Sequence, residues 1–323
     1  MRLPRVAILD DYQGLAMTLT DWSSLSSRAE VVVFRENLGT IEAAARALAD
    51  YDVLCLMRER QPLTAELIAR LPQLKFVVST GTWNASIDLE AASANGVLIC
   101  GTPNGRGQRA TAELTWGLIL ALSRNICSQD AMMRSGGWAG QPGKLLEGKV
   151  LGLIGFGGVA AMVADYAQVF GMKVLTASRS KSSADLPAYV ELTSLEYLLA
   201  NADVVSLHNR LTQKTRGMIT YRELESMKSS AFLINTARGL LVDENALISA
   251  LQAEQIAGAA LDVWAEEPLP SGHPFREFGP RLILSPHMGY VTQETMIDFY
   301  NQTRDAVLAW LDGRPIGLLF TPV

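Results

Sequence analysis

The segment "GKVLGLIGFGGVAAMVADYAQVFGMKVLTASRS", residues 148–180, decides the fold of this chain. It predicts an apolar strand that ends at Gly155, a glycine-rich turn, a helix of small apolar residues, and a second strand that ends at Ser178. Gly155 permits the tight turn, Gly157 lets the backbone approach a pyrophosphate, and Ala160 allows the helix to pack closely on the strand. The segment therefore predicts a dinucleotide-binding βαβ unit.

Apolar runs like those of this segment recur along the rest of the chain. They alternate with helical stretches such as "IEAAARALAD" and "DENALISALQAEQ". This alternation is typical of parallel sheets that are covered by helices on both faces. We therefore predict an α/β protein with two Rossmann-like, doubly wound parallel-sheet domains and a cleft between them. The last helical segment is expected to return to the first domain, so the predicted bounds are 1–101 with 290–323 for a substrate domain and 102–289 for a dinucleotide-binding domain.

The composition excludes several classes of function. The 323 residues carry a formal net charge of -5 without a long basic cluster, which argues against a nucleic-acid partner. No apolar run reaches the ~20 residues of a membrane helix and the N-terminal segment is unlike a signal peptide, so we predict a cytoplasmic protein without a membrane partner. Cys55, Cys100 and Cys127 lie far apart in apolar segments, which predicts buried thiols and neither a disulfide nor a metal site.

The end of the second strand carries the cofactor preference. An acid at this point holds the ribose 2′-hydroxyl of NAD, whereas the 2′-phosphate of NADP requires a cation and no acid. Ser178, Arg179 and Ser180 stand there instead of an acid. They predict NADP(H) as the preferred cofactor, with NAD(H) as the alternative in which this basic loop is only solvated. The loop that holds the phosphates is predicted to comprise Gly155, Phe156, Gly157, Gly158 and Val159.

Five chemically capable side chains lie at or after the ends of predicted strands. His287 comes after "RLILSP", and His208 ends "DVVSLH". Arg238 follows "AFLINT", and both Glu266 and Glu267 follow "IAGAALDV". In open α/β sheets the carboxyl ends of the strands line the ligand crevice. These residues are therefore the candidates for proton transfer and for binding an acidic substrate.

The whole chain resembles the D-isomer-specific 2-hydroxyacid dehydrogenase family, which includes phosphoglycerate, glycerate and D-lactate dehydrogenases and the glyoxylate/hydroxypyruvate reductases. The segments that carry the resemblance stand in the family order: "GKVLGLIGFGGVA", "DVVSLH", "INTARGLLVDENAL", "GAALDVWAEEPLP" and "LSPHMGYVTQET". The resemblance implies the reversible reduction of a small 2-keto acid to its 2-hydroxy acid, with glyoxylate or hydroxypyruvate preferred. It also implies a homodimer formed through the cofactor domain.

The resemblance makes Arg238, Glu267 and His287 the catalytic trio. Arg238, which is always charged and fork-shaped, would bind the substrate carboxylate and polarise the adjacent carbonyl. His287 would protonate the carbonyl oxygen as hydride arrives from the nicotinamide. Glu267 would pair with His287, because a neighbouring carboxylate favours the imidazolium form.

The resemblance also assigns residues of lower rank. The further cofactor-binding positions are His208, Thr236, Ala237 and Asp262, of which Asp262 would contact the nicotinamide carboxamide. The substrate-binding positions, besides Arg238, are Arg58, Arg60, Thr82 and Trp83. The chain departs from the family pattern at Trp83, Ser86, Arg210 and Tyr290. Trp83 and Tyr290 are bulky, so they are expected to narrow the site or to give it an aromatic wall.

Two alternatives remain open at this point. A formate or phosphite dehydrogenase of the same family would need only a different pocket. A dinucleotide-sensing corepressor would use the same fold without catalysis, although the intact arginine, glutamate and histidine argue against it. Turnover of a small 2-keto acid separates both alternatives from a 2-hydroxyacid dehydrogenase.

Overall fold

The computed structural model describes residues 2–319, which form two parallel-sheet α/β units. The strands are β1 Arg5–Ile8, β2 Glu30–Val33, β3 Val53–Leu56, β4 Phe76–Ser79, β5 Leu98–Gly101, β6 Val150–Ile154, β7 Lys173–Ala177, β8 Val190–Leu192, β9 Val204–Leu207, β10 Phe232–Asn235, β11 Gly258–Leu261 and β12 Leu282–Leu284. The helices are α1 Ala16–Leu19, α2 Ile41–Leu48, α3 Ala65–Ala69, α4 Leu89–Ala94, α5 Gly107–Ser123, α6 Ile126–Arg134, α7 Gly158–Val169, α8 Leu195–Asn201, α9 Tyr221–Glu225, α10 Glu244–Gln252 and α11 Gln293–Leu311.

The first unit contains the residues up to Gly107 and those from Val291. Its strands lie in the order β2-β1-β3-β4-β5, and all neighbours are parallel. Helices α2, α3 and α4 begin where a Thr or Asp side chain accepts a hydrogen bond from the first turn, and their apolar residues enter the core. Helix α11 packs on β4, where the rings of Phe76 and Trp310 stack with their centroids 5.6 Å apart.

The second unit is Gln108–Tyr290, and its sheet has the order β12-β11-β10-β9-β6-β7-β8. Its neighbouring strands are parallel too. One buried cluster joins the sheet to α8, α9 and α10, and a second joins it to α5 and α7. The sheet is therefore covered on both faces, which confirms the predicted doubly wound α/β fold.

The unit boundaries differ slightly from the predicted domain bounds. The contacts keep residues 102–107, which include the loop before α5, with the first unit, whereas the sequence assigned them to the second. Residue 1 and residues 320–323 of the predicted substrate domain lie outside the described residues. Two strands, β2 and β8, were not predicted, and each lies at the edge of its sheet.

The predicted burial of the cysteines is right for Cys55 and Cys100 and wrong for Cys127, which is exposed. Cys127 lies on α6, a helix that contributes no buried residue, so its apolar residues have no core to enter. Across residues 2–319 no helix has the length and apolar character required to cross a membrane.

Candidate active site

The glycine-rich turn lies between β6 and α7 and has the geometry of a phosphate-binding loop. Gly155 has φ +88°, a conformation that favours glycine, while Gly157 and Gly158 are exposed. No side chain caps α7, its first turn carries no acid, and a Cβ on Gly157 would meet nothing within 4 Å. The amide groups at the start of this 12-residue helix therefore have no side-chain cap and can bind an anion, and the Gln108 side chain lies close to Gly158, with Oε1 2.5 Å from a Cβ placed there.

The end of β7 presents a cation beside this loop. Arg179 and Ser180 are exposed, Ser178 is partly buried, and Arg179 forms no ion pair with any residue that the structure describes. The first carboxylate further along the chain is Asp185, which accepts hydrogen bonds from the backbone N–H and the hydroxyl of Ser182 at 2.8 and 2.7 Å. These bonds hold the pKa of Asp185 below its usual value. Arg179 thus remains available to an anionic ligand.

His208, at the end of β9, is a neutral side chain in this fold. Burial lowers its pKa to about 4, so the ring carries no charge near neutral pH. Its Nε2 atom lies 3.0 Å from the hydroxyl oxygen of Ser206. His208 can therefore contribute shape and a hydrogen bond beside the phosphate loop, but no charge.

The three catalytic candidates follow three neighbouring strands, β10, β11 and β12. The Nδ1 atom of His287 lies 2.6 Å from Oε2 of Glu267, and their side chains are 20% and 30% exposed. Because Nδ1 is used in this contact, Nε2 is the nitrogen that can face a substrate. The structure therefore brings two of the three predicted catalytic residues, His287 and Glu267, into direct contact.

Glu267 is held in its ionised form. Burial, the largest single influence, would raise its pKa, but the hydrogen bond and charge of His287, with smaller contributions from other neighbours, keep this pKa below its usual value. The N–H of Trp264, which donates to Oε1 at 3.0 Å, and the charge of Arg238 act in the same direction. Arg238 is therefore close enough to the pair to influence its charge state.

The loop that carries Arg238 is braced by Asn235, a residue that the sequence analysis missed. The amide nitrogen of Asn235 donates to the carbonyl of Arg238 at 2.9 Å, and its amide oxygen accepts from the N–H of Ala237 at 3.1 Å. Nη1 of Arg238 donates to the carbonyl of Ala237 at 2.6 Å. The buried hydroxyl of Thr236 contacts that of Thr115 at 2.8 Å. The backbone of this loop is thus fixed on both sides of the guanidinium.

Asp262 holds the loop on which His287 lies. Its carboxylate accepts hydrogen bonds from the Ser285 hydroxyl at 2.5 Å and from the N–H groups of Met288 and Gly289 at 2.9 and 2.8 Å. Burial raises the pKa of Asp262, and these hydrogen bonds oppose that rise. The sequence assigned Asp262 to the nicotinamide carboxamide; in the structure the residue is 0% exposed and its carboxylate is directed at the loop.

Gly239 ties the Arg238 loop to the Glu267 loop through a backbone contact. A Cβ atom at this position would lie 2.0 Å from the carbonyl carbon of Trp264 and 2.6 Å from the nitrogen of Ala265. Only glycine permits this approach. The sequence signal was a glycine directly after the candidate arginine, and its meaning depends on a chain segment that lies elsewhere in the sequence.

In the first unit, Arg58 braces the turn after β4. Its backbone N–H donates to the Thr80 hydroxyl at 2.9 Å, and Nη1 donates to the Thr80 carbonyl at 3.3 Å and to Oδ1 of Asn104 at 3.1 Å. Gly81 has φ +95°, and a Cβ there would lie 1.7 Å from the Arg58 guanidinium. The guanidinium of Arg58 therefore has a structural role that sequence analysis alone did not reveal.

Arg60 and the turn residues lie at the same edge of this sheet. Nη1 of Arg60 donates to the carbonyl of Asp10 at 2.7 Å, and the guanidinium lies over the ring of Tyr12, 4.7 Å from its centroid. Thr82 contacts Asn104 through its hydroxyl at 3.5 Å, and Trp83 is 57% exposed. The four substrate-binding candidates thus lie together in the first unit, whereas the catalytic trio lies in the second.

Tyr290, one of the departures from the family pattern, packs against the trio. Its ring meets that of His287 edge to face, with centroids 5.9 Å apart and an interplanar angle of 75°. The side chain is 7% exposed. It therefore packs as an aromatic support against His287, while its predicted effect on the width of the site stays a prediction.

Comparisons with known proteins identify relatives of this chain. The family model for the NAD binding domain of D-isomer specific 2-hydroxyacid dehydrogenases matches residues 116–289. A glyoxylate reductase of Aeropyrum pernix is 37% identical over 262 residues, which are 78% of each chain. A 4-methyl-2-oxopentanoate reductase A of Aspergillus oryzae is 34% identical over 303 residues, 89% of this chain and 91% of the relative. The solved phosphoglycerate oxidoreductase of Vibrio cholerae superposes with a TM-score of 0.89 at 32% identity, covering 96% of this chain and 100% of that structure.

Proposed function

The chain belongs to the D-isomer-specific 2-hydroxyacid dehydrogenase family, and we propose that it reduces small 2-keto acids, glyoxylate or hydroxypyruvate by preference, to their 2-hydroxy acids. It is an oxidoreductase that uses a nicotinamide cofactor and a small 2-keto or 2-hydroxy acid. The observation that carries the proposal is the 2.6 Å contact between His287 and Glu267 beside Arg238.

Each residue of the trio has a separate part in the proposed reaction. Arg238 binds the carboxylate of the keto acid and polarises the neighbouring carbonyl through its fork of N–H groups. His287 gives the proton on Nε2 to the carbonyl oxygen, and in the reverse direction it takes the hydroxyl proton. Glu267 accepts from Nδ1, so it fixes the orientation of the ring and stabilises the imidazolium.

The described residues fit a nicotinamide dinucleotide. The uncapped start of α7 and the open space above Gly157 suit its pyrophosphate, and Asn209 has a buried amide oxygen without a partner in the described chain. When bound, the nicotinamide supplies the hydride. Gly155, Phe156, Gly157, Gly158 and Val159 would hold the phosphates, while Thr236, Ala237 and His208 would lie along the cofactor.

We propose NADPH rather than NADH as the preferred form. This preference is supported by the exposed Arg179 without an ion-pair partner and by Ser178 and Ser180 in place of an acid. A positive charge and two hydroxyl donors suit a 2′-phosphate, and residues 178–180 contain no carboxylate that would repel it.

We assign the choice of substrate to Arg58, Arg60, Thr82 and Trp83, with Arg238. The predicted division into a dinucleotide-binding domain, 102–289, and a substrate domain belongs to this proposal. Relatives named for glyoxylate and for the larger 4-methyl-2-oxopentanoate indicate that the size of the keto acid varies within the family. A cytoplasmic location stays a prediction.

A homodimer is also part of the proposal. Its support is a set of exposed apolar side chains on α6 and the loop that follows it: Ile126, Met133, Trp138 and Leu145, of which Trp138 is 83% exposed. Exposed apolar side chains that are concentrated in one segment suit a protein–protein contact. Sedimentation velocity would give a dimer for the wild type and a larger monomer fraction for Trp138→Ser; a monomeric wild type would contradict the proposal.

The proposed activity is tested by steady-state kinetics with NADPH and NADH across a panel of 2-keto acids, formate and phosphite. We expect turnover of glyoxylate or hydroxypyruvate, a higher kcat/KM with NADPH, and a loss of kcat of about 10²-fold or more in His287→Ala. Turnover of formate or phosphite alone would replace the proposed substrate. Cofactor binding without turnover would favour a dinucleotide sensor. An unchanged kcat in His287→Ala would remove His287 from the mechanism.

A further inference from the structure

The residues directly after β9 lie at the topological switch point of the second sheet. From β6 the chain moves outward to β7 and β8 and then returns to β9 on the other side of β6. Ligands of open α/β sheets bind at such a point, outside the carboxyl ends of the strands. Asn209 and Arg210 follow β9 there.

Asn209 carries an unsatisfied acceptor that faces the phosphate loop. Its Oδ1 atom is buried and accepts no hydrogen bond from the residues described. The same atom would lie only 2.9 Å from a Cβ on Gly155, so the amide packs directly against the glycine turn. Buried polar atoms are nearly always paired in folded proteins. An unpaired oxygen beside a ligand-binding turn is therefore suited to a hydroxyl donor on the ligand.

Arg210 places a second cation opposite Arg179. Ile154, at the end of β6, pairs with Ala177 on one side and with Leu207 on the other. Arg179 lies two residues beyond Ala177 and Arg210 three residues beyond Leu207. The two exposed arginines thus flank the end of β6, where the glycine turn begins.

Arg210 has a fixed backbone and an uncommitted side chain. Its carbonyl accepts from the Thr215 hydroxyl at 2.7 Å, which anchors the loop. Its guanidinium has no ion-pair partner among residues 2–319. A guanidinium without an ion-pair partner binds phosphate oxygens well through its N–H donors, because both groups are charged.

We propose that Asn209 and Arg210 form the binding subsite for the adenosine ribose of the cofactor. Asn209 Oδ1 accepts a hydrogen bond from the 3′-hydroxyl, which NADH and NADPH share. Arg210 binds the 2′-phosphate together with Arg179, so it acts on NADPH alone. The role of Arg210 rests on the proposed NADPH preference, whereas the role of Asn209 does not.

The test is isothermal titration of the purified protein with NADPH, NADH and adenosine 2′,5′-bisphosphate, which lacks the nicotinamide. We expect Arg210→Ala to lower the affinity for NADPH and for the bisphosphate by about 10-fold or more, as for the loss of a charged hydrogen bond. The affinity for NADH should fall by less than about 2-fold. Arg216→Ala, a change at an exposed arginine of the same loop, is the matched control and should leave all three affinities unchanged.

Asn209→Leu removes the acceptor while keeping the approximate shape of the side chain. We expect the affinities for NADPH and NADH to fall equally, by about 3- to 10-fold. The melting temperature of the ligand-free protein should stay equal or rise, because an unsatisfied buried oxygen is lost. A lower melting temperature with unchanged affinities would make Asn209 structural and overturn its role in binding.

The two proposals fail in different ways. If Arg179→Ala abolishes the NADPH preference and Arg210→Ala leaves it intact, the inference about Arg210 is wrong and the NADPH proposal stands. If the wild type binds NADH as tightly as NADPH, the NADPH proposal and the role of Arg210 are both wrong. The NADH affinity of Asn209→Leu then decides alone whether Asn209 binds the ribose.

Discussion

Replacing Gly239 with alanine should strongly reduce the activity of the enzyme, although none of the three residues Arg238, Glu267 and His287 is itself substituted. The added Cβ would lie 2.0 Å from the carbonyl carbon of Trp264, whereas ordinary contacts begin at 3.4 Å. The backbone at one of the two loops must therefore move by about 1.4 Å, since neither contacting atom is the flexible end of a side chain.

The direction of this movement matters because the two loops carry Arg238 and Glu267. The N–H of Trp264 holds Oε1 of Glu267 at 3.0 Å, so a shift at Trp264 is transmitted to the partner of His287. A shift on the other side displaces Arg238 directly. A misplacement of about 1 Å at a reacting site costs on the order of 10²-fold in rate, and we expect kcat/KM to fall by at least that factor.

The assay measures reduction of the preferred keto acid, which is monitored through the oxidation of the reduced cofactor. A circular dichroism melt measures the stability of the same variant. Strain from the added methyl group should cost about 1–3 kcal/mol of stability, which leaves the protein folded at assay temperature. Gly272→Ala is the matched control, because a Cβ there meets nothing within 4 Å and the residue is exposed. A folded Gly239→Ala variant with kcat/KM within twofold of the wild type would refute the coupling between the loops.

Two further predictions concern charge. Arg238→Lys should lower kcat/KM by about 10-fold or more, mainly through a higher KM for the keto acid, because an ammonium group cannot reproduce the bidentate fork. Steady-state kinetics measure this effect, and an unchanged KM would contradict carboxylate binding by Arg238. For His208, whose pKa falls from 6.5 to about 4 on folding, the unfolded chain takes up the proton first as pH drops. Stability should therefore be lost between about pH 6.5 and 4, by at most about 3 kcal/mol, and urea melts of His208→Gln should lack this loss while those of the control His273→Gln keep it.

The part of the site that could be predicted from the sequence is the part that depends on position along strands. Arg238, Glu267 and His287 each follow a strand, and parallel strands place their carboxyl ends at one edge, so their convergence follows from topology. The glycine turn was predictable for a similar reason, because Gly155 lies directly between a strand and a helix within one continuous segment.

The remaining features depend on contacts between distant segments. The guanidinium of Arg58 is held by Asn104, 46 residues away, so its structural role was not visible from the loop sequence. Asp262 and the N–H groups it binds are separated by 26 and 27 residues, and the backbone contact of Gly239 joins two different loops. Hydrogen bonds of this range have no period or spacing that a sequence pattern displays.

The conformation of His287 shows how these long-range contacts serve the proposed chemistry. His287 has φ +52°, a left-handed conformation that non-glycine residues seldom adopt and that persists only when neighbouring contacts enforce it. Asp262 supplies that enforcement, because its three donors come from Ser285 before His287 and from Met288 and Gly289 after it. With the backbone fixed on both sides and Nδ1 bound by Glu267, the ring presents Nε2 before a substrate arrives. The cost of orienting the proton donor is therefore met during folding, and little reorganisation is left for the reaction itself.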